Sequence, residues 1–273
     1  MSTTWAAYCR ARRRSRQAWV LASLLLAGCA AATAWFFMSG QFAVAEGPGN
    51  GPTEAPVFDG TWMRPVQSVQ PVPGGLASDA LASLPVKGRA PKDNYDREEF
   101  GQAWLDVDRN GCDTRNDILR RDLKSIEFTV GSTCKIASGE LREPYVGETI
   151  RFSRGAESSA AVQIDHVVAL GDAWQKGAQQ LTAKQRQGLA NDPLNLIAVD
   201  GPANVKKSAS DAASWLPANK AFRCHYVARQ ISVKSAYRLW VTQAEKDAMN
   251  RVLDACPGQQ TIRAASGGRQ SGS

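Results

Sequence analysis

A chain of 273 residues, 43% of them hydrophobic, is long enough for one domain with a sizeable core plus appendages. The formal charge of +7 invites a nucleic-acid reading, but residues 1–45 hold five arginines and no acid, and without them 28 basic residues face 26 acidic ones. Global basicity is therefore excluded as support for any function, and a binding groove has to be a local patch.

The chain opens with Arg10, Arg12, Arg13, Arg14 and Arg16, then an apolar run over 18–38, the pattern of an export signal. Three readings of residues 1–45 stay open. Leu26-Ala27-Gly28-Cys29 reads as a lipobox, which makes Cys29 a lipidation site. Ala43-Val44-Ala45 reads as a cleavage site that releases the protein. The apolar run also meets the length of about 20 residues that crosses a bilayer, with the arginines left on the cytoplasmic side. Each reading puts the body outside the cytoplasm and lets only the N-terminal segment touch the membrane.

Residues 46–76 are rich in Gly and Pro and bury too little apolar surface to fold, so they read as a disordered linker. The tail 258–273 has the same character, and the folded body is expected over 77–257. Beyond the signal there are four cysteines, Cys112, Cys134, Cys224 and Cys256. An even count in an exported chain suggests two disulfides; three pairings are open, and the local one, Cys112–Cys134 with Cys224–Cys256, is favoured. No pair has C-x-x-C spacing, so no zinc-finger zinc is expected.

Within the body, helices are expected over 78–84, 96–105, 115–123, 172–189, from Pro202 onward, 219–237 and up to 255. Thr242 with Glu245 forms a capping box at the start of the last one. Short strands are expected over 126–130, 149–152, 162–170 and 195–199. The class is α+β, mostly helical, with small local strands.

The chemistry is concentrated in Gln163-Ile164-Asp165-His166-Val167-Val168, then Leu194-Asn195-Leu196, then Asn204-Val205-Lys206-Lys207. A buried strand has little use for Asp-His unless something binds there, and the chain has only two histidines. Metal-assisted phosphodiester hydrolysis needs a hard cation on oxygen ligands, a base near neutral pKa to activate water, and a donor for the phosphate. Histidine suits the base, Asp165 and Asn204 the metal, and Lys207 the phosphate. The bland alternative is a structural histidine with Asp165 as its partner.

Asp165-His166, Asn195 and Asn204-x-x-Lys207 in this order resemble the HNH endonuclease motif. The wider text is similar to an exported bacterial branch related to the C-terminal domain of GmrSD-type restriction enzymes. It includes Tyr95-Asp96-Arg97-Glu98-Glu99-Phe100, Asn110-Gly111-Cys112-Asp113-Thr114-Arg115-Asn116-Asp117 and Asn191-Asp192-Pro193-Leu194-Asn195. The resemblance covers nearly all of 77–257. It implies a ββα-metal (HNH) nuclease core embedded in a mostly helical domain. It implies His166 as general base, Asp165 and Asn204 as ligands of Mg2+ or a similar ion such as Mn2+, Asn195 as a brace for the loop, and DNA, with RNA as second candidate, as substrate. Ser208 stands where the family commonly has Gly, and the second zinc-binding cysteine pair is replaced by Asp200-Gly201-Pro202-Ala203.

Arg115, Asn116 and Lys206 are candidate nucleic-acid contacts, against the plainer reading of solvated surface. Asp106-x-Asp108-x-Asn110-Gly111 opens like a calcium loop but ends on Asp117, where a bidentate Glu is usual, and reads as a structural turn. It leaves a non-enzymatic rival: an exported calcium- or cell-surface-binding module on a nuclease-like fold. His225 lacks an acidic neighbour and reads as non-catalytic. Trp104, Trp174, Trp215 and Trp240 read as core rather than as stacking platforms.

Overall fold

The computed structural model describes residues 70–72, 74–155 and 158–263. The expected export signal with Cys29, most of the expected linker and residues 264–273 lie outside the described residues.

Two small antiparallel sheets sit among helices, which makes the fold α+β. The first sheet runs β1 (Leu123–Phe128), β2 (Ile136–Arg142), β3 (Thr149–Ser153) in that order. The second pairs β4 (Val162–His166) with β5 (Leu196–Asp200), Asp165 opposite Ile197 and His166 opposite Leu196. The helices are α1 (Ala77–Ser83), α2 (Thr114–Asp122), α3 (Leu170–Gln175), α4 (Ala183–Asn191), α5 (Gly201–Lys207), α6 (Arg223–Ala236) and α7 (Gln243–Leu253).

The β4–β5 pair is covered on both faces. Ile197 and Val199 join the cluster of α1, α6 and α7 that includes Leu81 and Ile231, whereas Leu196 and Ala198 join Ile118, Ile136 and Phe152. Alternate side chains therefore enter different cores, and the strand reads as a continuous apolar run rather than an alternating one. Asp165 and His166 have to be satisfied inside that double burial.

β5 passes into α5 without a loop. The Asp200 carboxylate caps α5 by accepting from the Ala203 amide at 2.8 Å, and Pro202 occupies the first turn. The helix begins one residue earlier than expected, at Gly201. A Cβ there would lie 2.1 Å from the Ala160 carbonyl oxygen. Gly201→Ala is expected to push α5 off its seat and to cost about 1–3 kcal/mol or more, as overpacking of a rigid backbone contact does. Urea unfolding of the variant checks this; unchanged stability would show that the contact is slack.

Both disulfides form in the local pairing. Cys112–Cys134 ties the entrance of α2 to the β1–β2 hairpin, and Cys224–Cys256 ties the first turn of α6 to the segment after α7. A buried ionic network joins α3, α6 and α7. Lys176 approaches Asp172 at 2.8 Å, Asp211 at 2.7 Å and Glu245 at 2.6 Å; Lys234 reaches Glu245 at 3.0 Å; Arg89 closes it from the surface on Asp172 at 3.0 Å.

Several elements differ from expectation. The helix over 172–189 is three pieces, because Gly177 takes φ +119° and Thr182 starts α4 with a capping box to Gln185. The helix over 96–105 is only a 3-10 turn, Arg97–Phe100, ended by Gly101 at φ +71°. β2 carries Ser138, Gly139 and Glu140 and has no strand signature in its sequence. The strand over 162–170 stops at His166. Packing also extends past both expected ends of the body: Leu76 pairs with Gln260, and the Ile262 amide donates to Ser232 Oγ at 2.8 Å. Both contacts use backbone groups of the flanking segments, one of them to a serine hydroxyl, and leave no trace in composition.

Candidate active site

Asn195 sets the geometry. Its side chain is fully buried; Oδ1 accepts from the Val168 amide at 2.8 Å, and Nδ2 donates to Leu189 O at 3.2 Å and Val168 O at 3.3 Å. Its own carbonyl accepts from the Val167 amide at 2.8 Å. One amide side chain thus supplies the partners that a continuing strand would have supplied, and the chain can turn away after His166 without orphaning buried backbone groups.

His166 is 8% exposed, and its Nε2 lies 2.8 Å from the Ala190 carbonyl oxygen. A carbonyl only accepts, so Nε2 carries the proton in the neutral ring and Nδ1 keeps its lone pair. Nδ1 makes no hydrogen bond among the described residues. Burial pulls the imidazole down to a pKa of about 4, the Ala190 bond opposes this, and the charges of Arg97 and Lys207 lower it further. The ring is therefore neutral near pH 7.

Asp165 points to the opposite side of the strand and is 5% exposed. Tyr145 donates to Oδ2 at 2.6 Å, and Lys207 Nζ lies 3.0 Å from each oxygen. Lys207 also donates to the His166 carbonyl at 2.8 Å and has no exposed surface. Burial pushes the Asp165 carboxyl above the ordinary range, against the pull of Lys207 and Tyr145. The expected contact of Lys207 with phosphate is not what the geometry brings together: its ammonium is directed into the protein and fixes the carboxylate. Tyr145 is itself seated by Glu143, which accepts its amide at 2.8 Å.

A cleft of about 450 Å³ opens onto these groups, lined by Asp165, His166, Gln163, Asn204, Arg97 and Tyr95 among others. Asn204, half-exposed on α5, donates Nδ2 to Gln163 Oε1 at 2.8 Å. Its Oδ1 makes no hydrogen bond among the described residues. Among the described residues no group of three or more His, Cys, Asp or Glu side chains gathers to hold a metal. The oxygens at hand are one carboxylate and two amides.

The other candidates fall elsewhere. Arg115 is half-buried at the start of α2, and burial with the neighbouring Arg154 lowers its pKa. Asn116 is 4% exposed; its Nδ2 donates to Asp113 at 2.8 Å and its Oδ1 accepts from Arg154 at 2.6 Å, so the groups that would hold a phosphate hold the fold. Lys206 is exposed on α5, two residues from Asn204. The acidic loop closes on its own amides: Asn110 donates to Asp117 at 3.1 Å and Gly111 to Asp106 at 2.9 Å. His225 packs on Phe222 with ring centroids 5.3 Å apart. Tyr145, Gln163, Arg97 and Trp104 enter the site without having been singled out for it. Arg97 lay within the text that resembles the family. Gln163 opened the run that carries Asp165-His166, and Tyr145 had no signal beyond being polar.

A neutral, oriented histidine thus lies beside a cleft lined by one carboxylate and two amides, and a buried asparagine braces the turn that follows it. Residues 113–252 match the family model of GmrSD restriction endonucleases, C-terminal domain. An uncharacterized secreted protein of the fungus Arthroderma benhamiae is 37% identical over 195 residues, which cover 70% of this chain and 91% of the fungal one. No solved structure matches. The chain belongs to the GmrSD C-terminal domain family, and its folded body is a nuclease-type domain. The fungal relative takes the likeness beyond the bacterial branch that the sequence resembled.

Proposed function

We propose that this protein is an exported, metal-dependent endonuclease that hydrolyses phosphodiester bonds of DNA, with RNA as second substrate, and that β4, β5 and α5 form its ββα-metal core. The observation that carries the reading is the tautomer of His166. With Nε2–H committed to Ala190 O, the Nδ1 lone pair is free to take a proton from water in the cleft it lines. Water so activated attacks phosphorus, its proton passes to Nδ1, and the leaving oxygen departs with the bonding pair and takes a proton from solvent.

The residues fit a hard ion. A carboxylate has about four lone-pair sites, and three contacts from Tyr145 and Lys207 leave room on Asp165 for one more ligand. Asp165 and Asn204 would hold Mg2+ or Mn2+, ions that keep water and substrate phosphate in most positions and need only one or two carboxylates. Such an ion, when bound, stabilises charge developing on phosphorus and the leaving oxygen. Lys207 and Tyr145 hold Asp165 in place, Asn195 holds the loop that follows His166, and Arg97 and Lys206 face the nucleic-acid backbone.

Two disulfides, together with a relative described as secreted, support a place outside the cytoplasm. Purified protein is expected to nick plasmid DNA in Mg2+ or Mn2+ and to lose that activity in EDTA. Intact plasmid and RNA under every divalent ion tried would overturn the reading.

A further inference from the structure

Beside the cleft that holds Asp165 lies a second one of about 340 Å³, and His166 and Arg97 line both. Its surface is mainly apolar, from Phe100, Ala103, Trp104, Leu170 and Ala190, with Asp96 and Glu98 beside Arg97 at the polar end. Three features set it apart from a packing defect. Trp104 takes φ +58°, a region that bulky residues rarely adopt and that persists where surrounding structure imposes it, often at ligand sites. Its indole packs against the Ile118 and Leu119 core, as the sequence suggested, but stays partly exposed and lies 6.5 Å from the His166 ring with planes inclined by 19°. Arg97 is exposed, makes no ion pair among the described residues and lines both clefts, with Asp96 and Glu98 beside it in the second.

We propose that this pocket receives the base of the nucleotide next to the scissile linkage, stacked on Trp104, while Arg97 holds the adjoining phosphate at the junction of the two clefts. A mainly apolar slot with Phe100 and Trp104 in its walls and Arg97 shared with the phosphodiester cleft matches a planar base joined to an anion. A base stacked inside a duplex cannot enter it, so the substrate class is single-stranded or locally unpaired nucleic acid. The inference rests on reading the His166 cleft as the phosphodiester site, and its test is kept separate from cleavage.

The test is equilibrium binding in EDTA, by anisotropy, of a short labelled oligothymidylate and of a chain of equal length lacking its bases. The protein is expected to bind the base-bearing chain about five- to 150-fold more tightly, the range that one stacked base supplies. Trp104→Ala is expected to bring that ratio close to one, and Trp104→Phe to keep most of it. Equal binding of both ligands, no binding of the oligothymidylate, or an undiminished ratio in Trp104→Ala would each overturn the pocket. If Trp104→Ala does not fold, the two ligands on the unaltered protein and on Trp104→Phe still decide. Base-dependent binding with no cleavage in Mg2+ would instead overturn the nuclease reading and leave the pocket standing.

Discussion

His166→Ala is expected to lower phosphodiester cleavage by about 10²- to 10⁴-fold, the usual contribution of a positioned base, while the circular dichroism of the folded protein stays unchanged. Plasmid nicking at matched protein concentration measures it, and activity within threefold of the unaltered enzyme would remove His166 from the mechanism. The pH profile carries a second signature. An ordinary imidazole loses its basic form below a pKa of about 6.5, whereas burial holds this one near 4. Cleavage should therefore not fall between pH 7 and 5 on account of this group. Stability behaves otherwise. The folded pKa is depressed, so between about 6.5 and 4 the unfolded chain binds the extra proton. The stability associated with the neutral ring is fully present above about 6.5 and is lost as pH falls towards 4, on the order of 3 kcal/mol in all. In His166→Ala that part of the acid dependence should disappear.

Lys176→Met is expected to be the most damaging single change to stability. Its ammonium, with no exposed surface, meets Asp172, Asp211 and Glu245, which are themselves buried. Removing it leaves three carboxylates facing only Lys234 and Arg89. Breaking a buried pair in this way costs about 3–5 kcal/mol, because the charge left behind has no compensation. For a domain of this size that is a fall in Tm of roughly 10 °C. Thermal and urea unfolding check it, and a loss below about 1 kcal/mol would mean that water enters the network. Combining Lys176→Met with Glu245→Gln restores the charge balance and is expected to recover part of the loss. Burial alone would raise the Asp211 carboxyl, but Lys176 and Arg89 hold it down to about 2. Its contribution is therefore present above about pH 4 and lost as pH falls towards 2, and Lys176→Met should move that loss to higher pH.

The parts of this molecule that were legible in its sequence are those where a local rule decides. Asp-His inside an apolar run marked β4, Pro202 marked the start of α5, and even cysteines in an exported chain marked two disulfides. The parts that were not legible depend on partners distant in sequence. Lys207 has helical spacing to Asn204, which suggested a shared face, but the ammonium reaches Asp165, 42 residues earlier, and is spent there. Tyr145 comes to the same carboxylate from the β2–β3 connection across 20 residues. Nothing local marks Trp104 as only partly buried against the Ile118 and Leu119 cluster, or as taking φ +58°. The β2 strand was missed because Ser138 and Gly139 owe their pairing to β1 and β3, not to propensity.

The embrace of Asp165 by Lys207 has an electrical consequence. A lone carboxylate at the floor of a cleft would repel an incoming polyanion just where the polyanion has to arrive. Neutralised at 3.0 Å from below, the pair is close to silent at the distances over which diffusing molecules are steered. Among the residues lining that cleft, Arg97 is then the charge left without a partner across it. The acid is hidden during approach and offered only at contact range, so the site can hold a negative group without turning away a negative substrate.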